Sequence, residues 1–328
     1  MDPHHQDARS QQWNVEIQRQ MGANLSASVG YVGSKNDRLD LTGLFNTAAT
    51  PGPGTPAQVT ARRPFPWYNV TPFFGTSRGN GNYNALQAKL ERKFANGFQY
   101  LVSYTWSKSI DFGSSGWFDV ENGGGGGAFS GFQNYYDPNG SRSVSSYDIP
   151  HFLSMSGLWE LPFGRGKRFL GNGLASEVLG NWQLNGVVQL RSGQPFNLAV
   201  VGDVANIGNT LSFVNYARPN IVGDPNPAHR SLNQWFDPNA FAVPVFSYGN
   251  FGRNGLRSAS VYDADFSLFK SFPVGERLLI SFRAEFFNAF NIQNYGIPDS
   301  LIGVAGAGQV TSNVLPPREM QFGLHLGF

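Results

Sequence analysis

The last eleven residues, REMQFGLHLGF at positions 318–328, alternate between apolar and polar side chains from Met320 onward. Successive side chains of a β-strand point to opposite faces, so this alternation predicts a strand with one apolar and one polar face. A strand of this kind that ends on an aromatic residue is typical of the closing strand of a transmembrane β-barrel, whose apolar face meets lipid. The apolar face would carry Met320, Phe322, Leu324, Leu326 and Phe328.

The composition of the 328-residue chain agrees with a barrel. Charged residues make up only 14% of the chain, while aromatic residues make up 14% and glycine contributes 40 residues. The sequence holds no apolar run long enough to predict a transmembrane helix, which needs about 18 residues or more. The formal net charge of +2 gives no electrostatic reason to expect nucleic acid as a partner.

Eight further segments alternate in the same way as the last one, and the connections between the nine run short, long, short, long, medium, long, short, long. Outer-membrane barrels have short turns at the periplasmic end and long loops at the external end, which gives this order. We therefore predict an all-β fold: an antiparallel transmembrane β-barrel, about nine strands of a larger barrel, with long external loops. The alternating segments are 13–18, 25–31, 86–91, 99–107, 153–161, 182–191, 262–268, 278–286 and 320–328. The turn at Ala95-Asn96-Gly97 predicts a tight hairpin, and the long connections, among them 36–81 and 192–257, are expected to lack regular structure.

One pair of charged residues is predicted on the polar face of the barrel. A hairpin centred near Val274 would place Phe266 opposite Phe282 on the apolar face and Asp265 opposite Arg283 on the polar face. Cross-strand pairs of opposite charge contribute roughly 0.2–1 kcal/mol each and help to set strand register. The pair could set the register and keep the lumen polar, or it could contact a substrate.

The long connections are rich in aromatic residues, which suit contact with a sugar or peptide ligand but also suit loops that pack on one another. The candidates for ligand contact are Trp67, Trp117, Tyr135 and Trp235. The chain has no cysteine and no histidines in a zinc-binding spacing, and no Ser-His-Asp arrangement stands out in the sequence. We therefore expect no catalytic residues, no metal site and no cofactor, and we do not expect an enzyme.

Five stretches in a fixed order resemble a known family. Together they are similar to the barrel of TonB-dependent outer-membrane receptors, in the Oar-like branch that carries a carboxypeptidase-regulatory-like N-terminal domain. The resemblance covers nearly the whole chain and is densest from Tyr147 to Phe328. The stretches are 147–168 (with YDIPH and ELPFGRGKR), QWFDPNAF at 234–241, GRNGLR at 252–257, DFSLFK at 265–270 and FRAEFFNAFN at 282–291.

The resemblance implies a barrel of about 22 strands with a plug inside it and a segment that contacts TonB. Residues 1–328 would be the C-terminal part of such a barrel, with a polar lead-in at 1–12 and without the plug or a signal peptide. The implied location is the cell outer membrane, and the implied partners are outer-membrane lipid and the barrel-assembly machinery, which would recognise the last strand. The plug and the TonB energy complex would act only in a full-length form, in the transport of a scarce or large ligand that the sequence does not identify.

Other functions remain open from the sequence. The barrel could display its loops at the cell surface for adhesion without transport, or the chain could be a non-functional truncated fragment. A plug and a TonB-contact segment encoded in frame upstream would argue against both. A soluble all-β carbohydrate-binding protein is a further alternative, and it predicts a chain that stays monomeric without detergent.

Overall fold

The computed structural model describes residues 3–68, 70–114, 120–121, 128–129, 133–209, 217–274 and 278–327. These residues contain two short helices, and no helix among them is long and apolar enough to cross a membrane. The strands, in chain order, are β1 (Arg9–Met21), β2 (Leu25–Leu44), β3 (Phe73–Ala95), β4 (Phe98–Asp111), β5 (Val120–Glu121), β6 (Ala128–Phe129), β7 (Ser143–Val144), β8 (His151–Glu160), β9 (Trp182–Arg191), β10 (Pro195–Phe196), β11 (Ala199–Val200), β12 (Asn220–Ile221), β13 (Phe241–Ala242), β14 (Leu256–Arg257), β15 (Val261–Val274), β16 (Leu278–Phe287), β17 (Leu301–Ile302) and β18 (Glu319–Gly327). The helices are α1 (Pro56–Ala61) and α2 (Leu174–Leu179), and 3-10 turns occupy Pro138–Ser141 and Pro238–Ala240.

Nine long strands among the described residues form one antiparallel sheet. Their order in the sheet is β1-β2-β3-β4-β8-β9-β15-β16-β18, so neighbours in the sheet are also successive long strands of the chain. The short strand β7 pairs with the end of β4. Within the described residues, β1 and β18 each pair on one side only, which leaves the sheet open. The prediction of an all-β, antiparallel fold is confirmed.

The apolar face continues without interruption from strand to strand. One row of paired residues crosses seven strands and consists of Ile17, Val29, Ala88, Tyr104, Leu153, Leu190 and Tyr262. The polar residues between them lie on the opposite face, as the period of two requires. The apolar face is solvent-accessible in the isolated sheet, and the side chain of Ile17 is 75% exposed. An apolar face of this extent needs a covering medium.

The turn at Ala95-Asn96-Gly97 forms the predicted hairpin. Asn96 and Gly97 both have positive φ angles, 55° and 78°. Two-residue hairpin loops need this conformation because its twist matches the twist of the flanking strands, and Asn-Gly adopts it at low cost. Ala95 pairs with Phe98 across the turn.

Several strands extend further than the alternation predicted. β2 continues to Leu44 and β3 begins at Phe73, although 36–81 was expected to be irregular, and β1 begins at Arg9 inside the expected polar lead-in. β3 has 23 residues, about 76 Å at 3.3 Å per residue, whereas the hydrocarbon core of a bilayer is about 30 Å thick. The outer parts of these strands lie beyond any apolar layer, so their sequences need no apolar face and the alternation signal disappears.

The predicted register of the last hairpin is wrong. β15 and β16 pair Phe266 with Phe286 and Phe269 with Arg283, so Asp265 and Arg283 are not opposite each other. The hairpin is centred two residues further along the chain than Val274. Each residue of β15 therefore pairs with a residue of β16 four positions later than predicted. Because four is an even number, each side chain stays on its predicted face. The turn itself, residues 275–277, lies outside the described residues.

The two residues of the expected pair have other partners. The Asp265 carboxylate accepts a hydrogen bond from the backbone N–H of Asn288 at 2.9 Å. The Arg283 guanidinium lies 4.7 Å from the centre of the Phe269 ring and 3.7 Å from a Glu285 carboxylate oxygen. Asp265 therefore holds the residue that follows β16, and Arg283 stays on the polar face beside an aromatic ring.

Replacing Leu324 with Arg tests the face assignment of β18. Leu324 pairs with Phe282 on the apolar face in the middle of the strand, and an arginine facing lipid near the bilayer midplane costs about 2–4 kcal/mol. We expect a marked loss of protease-resistant protein in outer-membrane fractions. Gln321→Arg is the matched control, because Gln321 pairs with Glu285 on the polar face and should tolerate the charge. Equal membrane levels for the two variants would contradict the assignment.

Candidate ligand-binding surface at the loop end

All four long connections emerge from the same end of the sheet. They comprise residues 45–72, 112–150, 192–260 and 288–318. The shorter connections emerge from the other end because successive long strands are antiparallel. A ligand that approaches the long-loop end meets these four segments first, so they are the candidate binding surface.

A hydrophobic core joins the third and fourth connections. It is built from Phe196, Leu198, Val200, Phe236, Ala240, Phe241, Phe251 and Ile302. Short strands fix its geometry: β11 pairs in parallel with β17, and β10 pairs with β14. Two-residue strands carry too little periodicity to be read from sequence, which is why 192–257 was expected to lack structure. These connections are packed like a small soluble domain.

Arg253 ties this core to the second connection. Its side chain is 3% exposed and forms an ion pair with the equally buried Asp111 at the end of β4. The guanidinium also donates to the backbone oxygens of Ser141 and Asp111, each at 2.9 Å. A buried charge is tolerated only when it is paired and its remaining donors are satisfied. The arginine of the GRNGLR stretch is therefore a clamp between two connections.

Arg257, from the same stretch, makes a second clamp. It forms an ion pair with Asp148, whose other carboxylate oxygen accepts a hydrogen bond from the backbone N–H of Ser109 at 2.6 Å. Arg257 also donates to the backbone oxygen of Gly193 at 3.0 Å. The strands and the third connection are thus held together through one fully buried carboxylate. The spacing of charged residues along the chain contains no signal for either ion pair.

The first connection is fastened to the third by backbone acceptors. Arg62 donates to the backbone oxygen of Asn206 at 2.8 Å, and Arg63 donates to that of Gly208 at 3.1 Å. A small apolar cluster lies beside these bonds and contains Ala48, Val59, Ala205 and Ile207. The first, second and fourth connections are therefore each linked to the third. We call this assembly the loop cap.

Aromatic rings form a continuous row on the first and second connections. Trp67 packs edge-on against Phe65 at 5.7 Å, Phe65 lies 5.6 Å from Phe45, and Phe45 lies 5.9 Å from Tyr135. Tyr135 continues the row to Tyr136 at 5.5 Å. We call these five residues the aromatic row. Trp67 is 80% exposed at its outer end, whereas Tyr135 packs inside the loop cap.

The predicted contact residues therefore separate into two groups. Trp67 and Tyr135 belong to one row, but Trp235 packs against the core of the third and fourth connections and donates from its indole nitrogen to the backbone oxygen of Arg257 at 2.8 Å. For Trp235, the geometry favours a role in packing the loops on one another over contact with a ligand. Trp117 lies outside the described residues, as does Phe328 of the last strand.

A small pocket of about 30 Å³ lies beside the aromatic row, between Tyr135, Asp203 and Tyr248. The hydroxyl of Tyr248 has no hydrogen-bond partner among the described residues. Burial, with a smaller effect of Tyr136 and Asp203, raises the pKa of Tyr248 to about 12. Burial also raises the pKa of Tyr136, whose hydroxyl donates to the backbone oxygen of Thr47 at 2.8 Å. No sequence pattern singles out Tyr248.

The polar face of the sheet carries a groove with a volume of 630 Å³ that runs across β3, β4, β8, β9, β15 and β16. Polar-face side chains that line it include Gln99, Ser156, Asn185, Asp265, Ser267 and Glu285. Arg283 lines a separate depression with Ser271, Ser281 and His325. Among the described residues, no group of three or more histidine or acidic side chains is placed to hold a metal ion. The groove offers polar contacts for a solute.

With an apolar outer face, a polar inner face and a loop cap at one end, the chain has the organisation of an outer-membrane barrel wall. A family model for the outer membrane beta barrel domain matches residues 1–321. The chain belongs to this family. The outer-membrane location predicted from the sequence is therefore confirmed. No curated protein matches the chain.

The chain is similar to solved outer-membrane transporters, and it spans a third of their length or less. FpvA of P. aeruginosa, bound to heterologous pyoverdines, has 11% identity and a TM-score of 0.44, over 95% of this chain and 26% of that chain. YddB, an outer membrane transporter from Escherichia coli, has 9% identity and a TM-score of 0.47, over 98% and 33%. The FrpB iron transporter from Neisseria meningitidis has 10% identity and a TM-score of 0.43, over 98% and 31%.

Removing the Arg253 clamp should open the loop cap. Arg253→Met leaves the Asp111 carboxylate buried without its partner, which costs about 3–5 kcal/mol, so we expect faster protease cleavage of the long connections in intact membranes. Arg230→Met is the control, because Arg230 is exposed over the Trp235 ring at 5.2 Å and contributes about 1 kcal/mol or less. The double variant Arg253→Met/Asp111→Leu should recover resistance. Wild-type resistance in Arg253→Met alone would refute the clamp.

The loop cap should weaken in alkaline solution because of Tyr248. Its pKa in the folded protein, about 12, exceeds the ordinary value of 10.0, so the folded state holds this proton more tightly. The contribution of this bound proton to the stability of the folded state is complete below about pH 10, and it is lost as the pH rises towards about 12. Phenolate absorbance and protease sensitivity, followed together, should rise in this window. Tyr248→Phe should make the cleavage rate less dependent on pH, and an unchanged pH profile would contradict the assignment.

Proposed function

We propose that the chain forms the C-terminal barrel segment of a TonB-dependent transporter, in the Oar-like branch that the five sequence stretches suggest. The supporting observation is the two-faced sheet with its loop cap: an apolar outer face, a polar groove on the inner face and four fused connections at the external end. This arrangement separates lipid from an aqueous passage and places a binding surface over one opening. A display protein needs only the loops, whereas a polar inner wall of this extent suits solute passage.

The open edges of the sheet support a longer barrel. Within the described residues, the backbone groups on one side of β1 and one side of β18 are unpaired. An unpaired peptide group in hydrocarbon costs several kcal/mol, so a spanning sheet must close on itself. We propose that further strands of a larger barrel pair with both edges, and that β18 is the strand recognised by the barrel-assembly machinery through Met320, Phe322, Leu324, Leu326 and Phe328.

In this proposal the loop cap binds a scarce or large ligand at the cell surface. The aromatic row supplies ring faces and edges for contact, and the exposed end at Trp67 is where a ligand would first arrive. The plug and the TonB energy complex would supply gating and energy in the full-length form. The groove beside Asp265 and Glu285 would then line the passage that opens when the plug moves.

Surface display without transport is the second candidate. It is favoured by the rigidity of the loop cap, in which a hydrophobic core and two arginine clamps hold the connections together. A fixed, aromatic-rich surface binds a partner with little loss of conformational entropy. This candidate needs neither a plug nor an energy supply.

The two candidates predict different polypeptides in the native outer membrane. An antibody against residues of the loop cap would detect the protein on an immunoblot of outer membranes from the source organism. A band far above 35.9 kDa, with peptides of a plug and a TonB-contact segment in its mass spectrum, is the result expected for the transporter. A band at 35.9 kDa alone would refute transport by this protein and leave display, or a non-functional fragment, in its place.

A further inference from the structure

The connection between β8 and β9, residues 161–181, folds back on itself at the short-turn end of the sheet. Backbone bonds close it: the Phe169 N–H donates to the Pro162 oxygen at 3.0 Å, and the Asn181 N–H donates to the Phe163 oxygen at 2.9 Å. Gly164 and Gly180 touch through their backbones, since a Cβ on Gly180 would lie 2.4 Å from the Gly164 Cα. The segment has a defined shape because its backbone is satisfied internally.

Lys270 attaches this segment to the lipid-facing side of the barrel. Lys270 pairs with Trp182 and with Phe282, in the same row as the apolar side chains of β15, yet it is only 3% exposed. Its ammonium donates to the backbone oxygens of Glu177 and Val178 at the end of α2, the latter at 2.7 Å. The indole nitrogen of Trp182 donates to the same Val178 oxygen at 3.1 Å. A cation at a helix C-terminus is favourable, and here it places α2 on the outer face.

The segment carries large apolar side chains that the described residues leave uncovered. Leu174 is 86% exposed, and the other exposed apolar residues of the segment are Phe169, Leu170, Val178 and Leu179. They continue the apolar lipid-facing side of β9 and β15 at its short-turn end. In outer-membrane barrels this end lies at the periplasmic interface, where the hydrocarbon layer meets the headgroups.

Basic side chains accompany these apolar residues. Arg165 is exposed and pairs with Glu177 at 2.6 Å, Lys167 pairs with Glu160, and Arg168 is exposed beside the Phe169 ring. The segment from 163 to 180 has three basic residues and one acidic residue. Apolar residues beside basic ones are the composition of protein segments that lie in a membrane interface with anionic lipid.

We propose that residues 163–180 are a membrane-interface anchor, in which α2 lies in the periplasmic leaflet and Arg165 and Arg168 bind the phosphates of anionic phospholipids. Leu174, Val178 and Leu179 enter the outer part of the acyl layer. Lys270 is the positioning residue that holds the anchor against the barrel wall. The anchor fixes the depth and rotation of this part of the wall. It depends on the outer-membrane location and not on transport.

The absence of cysteine in the chain makes a direct depth measurement feasible. Leu174→Cys, carrying an environment-sensitive fluorophore, is compared with Val245→Cys. Val245 is also apolar and largely exposed (73%), and it lies on the third connection at the opposite end. The protein, in its native-length form and with any cysteine outside residues 1–328 replaced by serine, is placed in vesicles of phosphatidylethanolamine and phosphatidylglycerol. Folding of each variant is checked by the gel mobility shift between unheated and heated samples. Quenching is measured with lipids spin-labelled near the headgroup and, separately, deep in the acyl chain.

The expected result is blue-shifted emission at position 174 and stronger quenching by the shallow spin label than by the deep one, because interfacial helices lie about 5–10 Å into the headgroup boundary. Position 245 should remain in water. Arg165→Gln/Arg168→Gln should reduce quenching at 174 in anionic vesicles, and Lys270→Met should shift the fluorophore towards water. Emission at 174 like that at 245 would overturn the proposal. Blue-shifted emission without lipid quenching would overturn it too, since a protein would then cover the segment.

Discussion

A peptide group inside hydrocarbon has no water to bond with, so each membrane-spanning strand depends on hydrogen bonds from its neighbours. The nine long strands meet this requirement by pairing in chain order, from β1 to β18. Pairing brings the alternation of each strand into register with the next, so that Ile17 and Tyr262 end up in one apolar row across seven strands. The two-faced wall, the common end for the long connections and the attachment of α2 to the outer face all follow from this ladder.

The loop cap has the opposite arrangement of apolar side chains, which lie in its interior. In the sheet, apolar side chains point outward and polar ones line the inner face, whereas in the cap Phe196 and Phe236 are fully buried. Burial of apolar side chains in a shared core is the arrangement that the hydrophobic effect produces in contact with water. Arg253 forms an ion pair with Asp111 at the end of β4, and Arg257 forms one with Asp148, whose carboxylate accepts a hydrogen bond from the backbone of β4. These two ion pairs connect the loop cap to the sheet.

Lys270 illustrates how a residue that breaks the pattern can reveal a tertiary contact. By alternation it belongs to the lipid-facing row of β15, where a charge is costly. The conflict is resolved by the backbone carbonyl groups of Glu177 and Val178 in α2, which accept hydrogen bonds from the Lys270 ammonium and shield it from the surroundings. The stretch ELPFGRGKR is one of the five that carry the family resemblance. Gly164 of that stretch contacts the backbone of Gly180, which allows residues 161–181 to fold back on themselves.

The sequence by itself determined the class of fold, the two faces of each strand, the Asn96-Gly97 turn and the alternation of short and long connections, because these depend on period-two patterns and local turn chemistry. The family motifs and the two-faced strands together also predicted the outer-membrane location. The sequence did not determine the register of Asp265 against Arg283, because a shift of four residues keeps every side chain on its face. Both registers therefore fit the alternation of apolar and polar residues equally well. The clamps of Arg253 and Arg257, the inward packing of Trp235 and the burial of Tyr248 join residues far apart in the chain. Only tertiary packing decides such contacts, because no local periodicity encodes them.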